Sequence, residues 1–123
     1  MKKLFTLSAV LLMFSICVNA QNENMEKKLK GTWNYTCKEA PYQYQKGKAI
    51  FYEEDKEFKV KIGIDGYAYH GRDLKITEQD VEFIVYVENE LVALKLTLND
   101  NKMKGTAKTY EADLAITLEK EKS

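Results

Sequence analysis

From residue 31 onward the chain is a series of short segments in which apolar and polar residues alternate. The clearest is segment 58–64, where every even-numbered residue is apolar and the residues between are lysine or glycine. A period of two predicts a β-strand with one buried face. Asp65-Gly66 follows at once and is a strong signal for a two-residue hairpin turn. The connections are short and offer no helix for a parallel crossover, so the strands are predicted to pair antiparallel.

Turn signals divide the rest of the chain into eight strands when segment 67–77 is counted as one, kinked at Gly71-Arg72-Asp73. Eight antiparallel strands with one apolar face favour closure, because closure removes both unpaired edges. The predicted fold class is therefore all-β: a small eight-stranded antiparallel up-and-down barrel. A β-sandwich and an open sheet that dimerises are the alternatives.

One short helix is predicted before the first strand. Asn24 is a suitable N-cap, and Met25 and Leu29 lie four residues apart on one face. One or two turns of helix here are enough to cover one end of the barrel.

Residues 1–20 have the pattern of a cleaved signal peptide. Lys2 and Lys3 precede an apolar stretch, and Val18-Asn19-Ala20 supplies small residues before the cleavage point. The apolar stretch is shorter than the roughly twenty residues of a membrane span, which argues against an anchor helix. The bulky Ile16 argues against lipid attachment at Cys17. Residues 21–123 are thus predicted to form a single exported domain, periplasmic or secreted.

Charge and residue inventory limit the partners and the chemistry. The chain has 19 basic and 19 acidic residues, and removal of 1–20 takes away two of the lysines. The domain therefore lacks the basic field that nucleic acid or an anionic membrane would require.

Catalysis is not expected. Within 21–123 there is one serine, Ser123, one histidine, His70, and one cysteine, Cys37. A serine triad and a zinc site are excluded on this count, and no metal or cofactor is predicted. A nucleophile–base pair of Cys37 and His70 is the remaining candidate. Cys37, however, has the same strand parity as Trp33 and Tyr35, which predicts a buried thiol. The carboxylates of the turns, among them Glu88 and Glu90, are interpreted as solvated charges rather than as a glycosidase pair.

The start of the domain resembles a known group of proteins. A short helix, Gly31-Thr32-Trp33 opening the first strand, and a meander of eight strands resemble the lipocalin-like families of the calycin group. Segment 33–35 followed by segment 40–47 is similar to a group of small exported bacterial proteins of unknown function. The resemblance covers most of 30–120. It implies that Trp33 packs across the closed end of the barrel beneath a basic residue of the last strand. Lys120 is the candidate for that residue, where the family prefers arginine.

Two sets of residues are candidates for binding. The first is two Tyr-x-Tyr pairs, since tyrosine has a large apolar face and a polar tip suited to contact surfaces; the residues are Tyr42, Tyr44, Tyr67 and Tyr69. The alternative is that these rings only pack across strands and cover the barrel mouth. The second is the predicted interior, made of Trp33, Tyr35, Phe58, Val60, Ile62, Phe83, Leu94 and Leu96.

The barrel interior decides between the functions that remain. An eight-stranded barrel holds either its own side chains or one small ligand. The inward residues are bulky, with Gly105 and Ala107 the main small ones, which slightly favours a filled core with a shallow cup at one end. A carrier or sensor of a small apolar ligand is expected if there is a cavity. A protein-interaction module, such as an inhibitor of an extracellular enzyme, is expected if the barrel is solid and the tyrosine loop is the functional part.

Overall fold

The computed structural model describes residues 23–122, so the predicted signal peptide lies outside the described residues. Residues 23–29 form the predicted N-terminal helix, and Tyr42–Tyr44 form one turn of 3₁₀-helix. The strands are β1 Gly31–Thr36, β2 Lys46–Glu54, β3 Glu57–Ile64, β4 Tyr67–His70, β5 Arg72–Thr77, β6 Asp80–Val87, β7 Glu90–Asn99, β8 Lys102–Lys108 and β9 Asp113–Lys120.

All nine strands belong to one antiparallel sheet that curls into a nearly closed barrel, with the order β4-β3-β2-β1-β9-β8-β7-β6-β5. Neighbours in the sheet are neighbours in sequence except for β1 and β9, whose pairing brings the two ends of the domain together. This is an up-and-down arrangement, as predicted.

The predicted strand count of eight is wrong by one, because the run 67–77 is two strands. β4 pairs with β3, β5 pairs with β6, and Gly71 between them belongs to neither ladder. The Gly71 N–H donates instead to the Val60 carbonyl at 2.8 Å. Gly71 lies so close to β3 that a Cβ there would be 2.5 Å from Val60 Cγ1. The chain thus changes its pairing partner from β3 to β6 at a glycine. The two edge strands of the sheet, β4 and β5, are therefore connected by the chain and not by a ladder of hydrogen bonds, and this junction is here called the seam of the barrel.

One end of the barrel is closed by the N-terminal helix and Trp33. The Trp33 ring is fully buried, and its indole N–H donates to the Leu29 carbonyl at 2.8 Å. Lys120 Nζ lies 5.8 Å from the centre of the Trp33 ring and donates to the Lys28 carbonyl at 2.8 Å. Helix, first strand and last strand are therefore joined at one aromatic ring, with the last-strand basic residue in the place that the resemblance implied.

The opposite end, here called the mouth, carries the connections 37–45, 65–66, 88–89 and 109–112. When β4 and β5 are counted as one strand, these are every second connection of the meander. An up-and-down barrel places such connections at the same end.

The alternation read from the sequence corresponds to the inner and outer faces of the strands. Seven of the eight predicted interior residues are buried, and Phe58 is half-buried, with its ring 6.0 Å from that of Phe51. Gly105, expected to border a cavity, serves a different purpose. A Cβ at this position would lie 2.8 Å from Leu96 Cα, so the glycine allows close approach of β8 to β7.

Replacing Trp33 by alanine is expected to lower the free energy of unfolding by about 3–5 kcal/mol, the usual cost of truncating a large buried aromatic residue. Urea unfolding followed by circular dichroism measures it, with Tyr110→Ala as the control, because the Tyr110 side chain is exposed. A loss below about 1 kcal/mol for Trp33→Ala would contradict the role of this ring in closing the barrel.

Candidate ligand-binding cavity

A cavity of about 530 Å³ extends from the mouth into the barrel. Its size lies within the range of about 300–1,000 Å³ typical of small-molecule sites. The walls are the inward side chains of β1, β3, β6, β7, β8 and β9; these are Tyr35, Ile62, Ile64, Phe83, Val85, Val87, Val92, Leu94, Leu96, Ala107, Leu114, Ile116 and Leu118. The expected shallow cup is thus a cavity of ligand size, which reaches inward as far as Leu96 and Leu118.

The deep walls are apolar because they come from alternate residues of regular strands. Phe83 is directly opposite Leu94 across the β6–β7 ladder, and Leu94 is directly opposite Ala107 across the β7–β8 ladder. Directly opposed residues point to the same face of a sheet, so these three side chains form one continuous wall. Ala107 is the small residue in it and leaves space that a larger side chain would fill.

The polar groups lie at the mouth. Gln43 and Thr109 are uncharged polar residues of the cavity lining, and four glutamates also belong to it: Glu39, Glu88, Glu90 and Glu111. All four glutamates are exposed; three lie on different connections, and Glu90 is the first residue of β7.

The connection 37–45, here called the mouth loop, is held in place by its own hydrogen bonds. The Cys37 N–H donates to the Gln45 carbonyl at 2.7 Å, which closes the loop at its base. The Gln45 side-chain amide donates to the carbonyls of Lys38 and Ala40, at 3.2 and 3.1 Å. The loop therefore has a definite shape at the side of the cavity.

Tyr44 connects this loop to the opposite side of the mouth. Its hydroxyl donates to the Glu88 carboxylate, which lies on the β6–β7 turn, and its carbonyl accepts the Tyr35 hydroxyl at 2.9 Å. The bond to Glu88 raises the pKa of the Tyr44 hydroxyl. Burial raises the pKa of Tyr35 to about 12. Both phenols are neutral donors at physiological pH, and together they hold the mouth loop against the barrel.

Cys37 and His70 do not form a catalytic pair. Cys37 is buried and lines the cavity, and its burial raises the pKa of the thiol. His70 is exposed and lies opposite Lys61 across the β3–β4 ladder, on the outward parity of β4. The two side chains therefore lie on different faces of the barrel wall.

The four candidate tyrosines are separated into two kinds of environment. Tyr44 and Tyr69 are half-buried and pack against the core, and of the four only Tyr44 lines the cavity. Tyr42 and Tyr67 are 92% and 70% exposed. Tyr110, which the sequence did not single out, is 93% exposed on another connection of the mouth.

Sequence reasoning also missed the glutamates of the rim. Glu88 and Glu90 were interpreted as solvated turn charges, and Glu39 and Glu111 were not singled out. The signal that would have found them is topological, because alternate turns of an up-and-down barrel meet at one end. The connections that carry Glu39, Glu88 and Glu111 all lie at the mouth.

Comparison with known proteins supports the architecture. No family model matches the chain, and no curated protein matches it. Among solved structures, a redesigned β-barrel is similar, with a TM-score of 0.58 and 22% sequence identity over 80% of this chain and 96% of that one. At this identity the similarity shows a small β-barrel fold and nothing about activity. Within 23–122 there is no helix with the length and apolar character to cross a membrane.

The high pKa of Tyr35 predicts a loss of stability in alkali. Tyr35 ionises near pH 10 in the unfolded chain but at about 12 in the folded protein. The contribution of Tyr35 to the free energy of unfolding is therefore complete below pH 10. This contribution, about 2–3 kcal/mol, is lost as the pH rises through 12. Urea unfolding at a series of pH values measures the decline. Tyr35→Phe is expected to remove this part of the slope, and an unchanged slope would contradict the assignment.

Proposed function

We propose that this protein is an exported, non-enzymatic carrier or sensor that binds a small apolar ligand inside the barrel, as lipocalin-like proteins of the calycin group do. The observation that carries the proposal is the cavity of about 530 Å³, with apolar walls and polar groups confined to its mouth. Apolar walls with a few polar groups are the usual composition of a small-molecule site.

Several features support a binding role rather than catalysis. One end of the barrel is occupied by Trp33 and the helix, and the cavity extends from the other end. The Cys37 thiol and the His70 imidazole lie on different faces of the barrel wall. The signal-peptide pattern of 1–20 supports export, and the resemblance of segment 31–47 supports a place among small bacterial lipocalin-like proteins.

Filling the cavity is expected to abolish ligand uptake. Protein purified after expression of the full chain is incubated with lipid extract, re-isolated and analysed by mass spectrometry for bound apolar molecules. Ala107→Phe places a ring in the cavity, because Ala107 is buried in its wall. Ala115→Phe is the matched control, because Ala115 is exposed on β9.

We expect the wild type and Ala115→Phe to retain the same molecules and Ala107→Phe to lose at least nine-tenths of them. Thermal unfolding verifies that each variant is folded, and Val92→Phe, nearer the mouth, serves if Ala107→Phe is not. Absence of any bound molecule in the wild type, or equal retention by a folded cavity-filled variant, would overturn the proposal.

A second candidate function is a protein-interaction module that uses the outside of the mouth. All five large apolar side chains that are exposed among residues 23–122 lie at this end: Tyr42, Tyr67, Tyr86, Leu91 and Tyr110. Exposed apolar residues gathered at one place are typical of an interaction surface, and tyrosine is enriched in such surfaces.

The two functions are separated by a pair of variants. A triple variant, Tyr42→Ser with Tyr67→Ser and Tyr110→Ser, removes the three most exposed rings and leaves the cavity walls intact. If these exposed tyrosines bind a protein, an extracellular partner captured by the wild type is lost by the triple variant and kept by Ala107→Phe. A partner retained equally by both variants would contradict the interaction role of these tyrosines.

A further inference from the structure

The charge at the mouth of the cavity has one sign. Among the residues of 23–122 that line the cavity, every charged side chain is a glutamate, and none is lysine, arginine or histidine. The four carboxylates are Glu39 on the mouth loop, Glu88 on the β6–β7 turn, Glu90 at the start of β7, and Glu111 before β9. The apolar cavity thus opens through a rim that carries only negative charge.

The lysines closest in sequence to the mouth do not place their side chains among the four glutamates that line the cavity. Lys108 is exposed and follows Ala107, an inward residue, so strand alternation places its side chain outside the barrel. Gly47 is opposite the inward Tyr35, so the preceding residue, Lys46, also has its side chain outside the barrel. Lys38 is exposed and is not part of the cavity lining.

Aromatic faces add to the attraction for a cation. Tyr35 and Tyr44 both line the cavity, and Tyr44 lies at the level of the rim, where it donates to Glu88. The face of an aromatic ring attracts a cation, most strongly where water is partly excluded. Glutamates and tyrosine rings are therefore combined near the point where the apolar walls end.

We infer that the ligand is an amphiphile with an apolar body and a cationic head, that is, a long-chain amine or ammonium compound. The inference rests on the proposed function and specifies its ligand. The apolar body occupies the cavity, and the ammonium group remains at the rim among the glutamates. A carboxylate head would bring a negative charge to the same place, so the rim disfavours fatty acids.

The test compares three ligands with one chain and different heads: decylamine, decanol and decanoate, each below its micellar concentration at pH 7. Titration calorimetry at low salt with the wild-type protein measures Kd. We expect decylamine to bind at least about tenfold more tightly than decanoate, which corresponds to about 1.4 kcal/mol, with decanol between them. Raising the salt concentration is expected to reduce this ratio and to leave decanol unaffected, since salt screens exposed charges.

Matched variants assign the preference to the rim. Glu90→Gln combined with Glu111→Gln removes two rim charges and leaves Glu88, the acceptor of Tyr44, in place. Glu57→Gln combined with Glu78→Gln removes the same charge from exposed residues at the closed end of the barrel. We expect the rim variant to bind decylamine about threefold or more weakly and decanoate more tightly, and the closed-end variant to match the wild type.

Each result has a definite meaning. If none of the three ligands binds, the proposed function fails together with the inference. If they bind equally, or decanoate binds best, the inference is overturned and the proposed function stands. If the two double variants weaken decylamine equally, the preference comes from net charge alone, and the assignment to the rim is overturned.

Discussion

The contact on which the rest of the structure depends is the one around Trp33. The buried indole donates to Leu29 of the helix and lies beneath Lys120 of the last strand. Because β1 and β9 pair directly, this single residue joins the helix to the first and the last strand of the chain. It also fills one end of the barrel. The cavity accordingly lies toward the opposite end, where the polar residues of its lining are found.

Much of the fold could be predicted from local patterns. The alternation through 58–64 and the Asp65-Gly66 turn determine a hairpin, and repetition of such hairpins without a helix predicts an up-and-down barrel. The extra strand was missed because a kink in the sequence does not say whether a strand bends with one partner or changes partners. At Gly71 the chain changes its pairing partner from β3 to β6, and this change depends on pairing with strands that are distant from the kink. Whether the interior is hollow or filled was left open for a related reason, since residue volumes alone do not give the space between walls whose separation is set by barrel closure.

The candidate site was harder to predict than the fold. Tyr35, Ile62, Phe83, Leu94 and Leu96 were expected in the interior and line the cavity. Of the four glutamates at the mouth, Glu88 and Glu90 were interpreted as solvated charges and Glu39 and Glu111 were not singled out; all four are exposed. Their significance comes from being gathered around one opening. Proximity of this kind is produced by topology and has no local sequence signature.

The open seam has a mechanical consequence. A barrel whose ladders continue all the way round has a fixed circumference, since widening it would break a full row of hydrogen bonds. In this protein β4 and β5, the two edge strands of the sheet, are joined by the chain at Gly71, and the Gly71 N–H bond to Val60 continues the pairing with β3 on one side of the seam. The circumference of this barrel is therefore not fixed by an unbroken set of ladders. Widening the barrel at this seam would leave every β-ladder intact, because the edge strands β4 and β5 are paired only with β3 and β6 among the described residues.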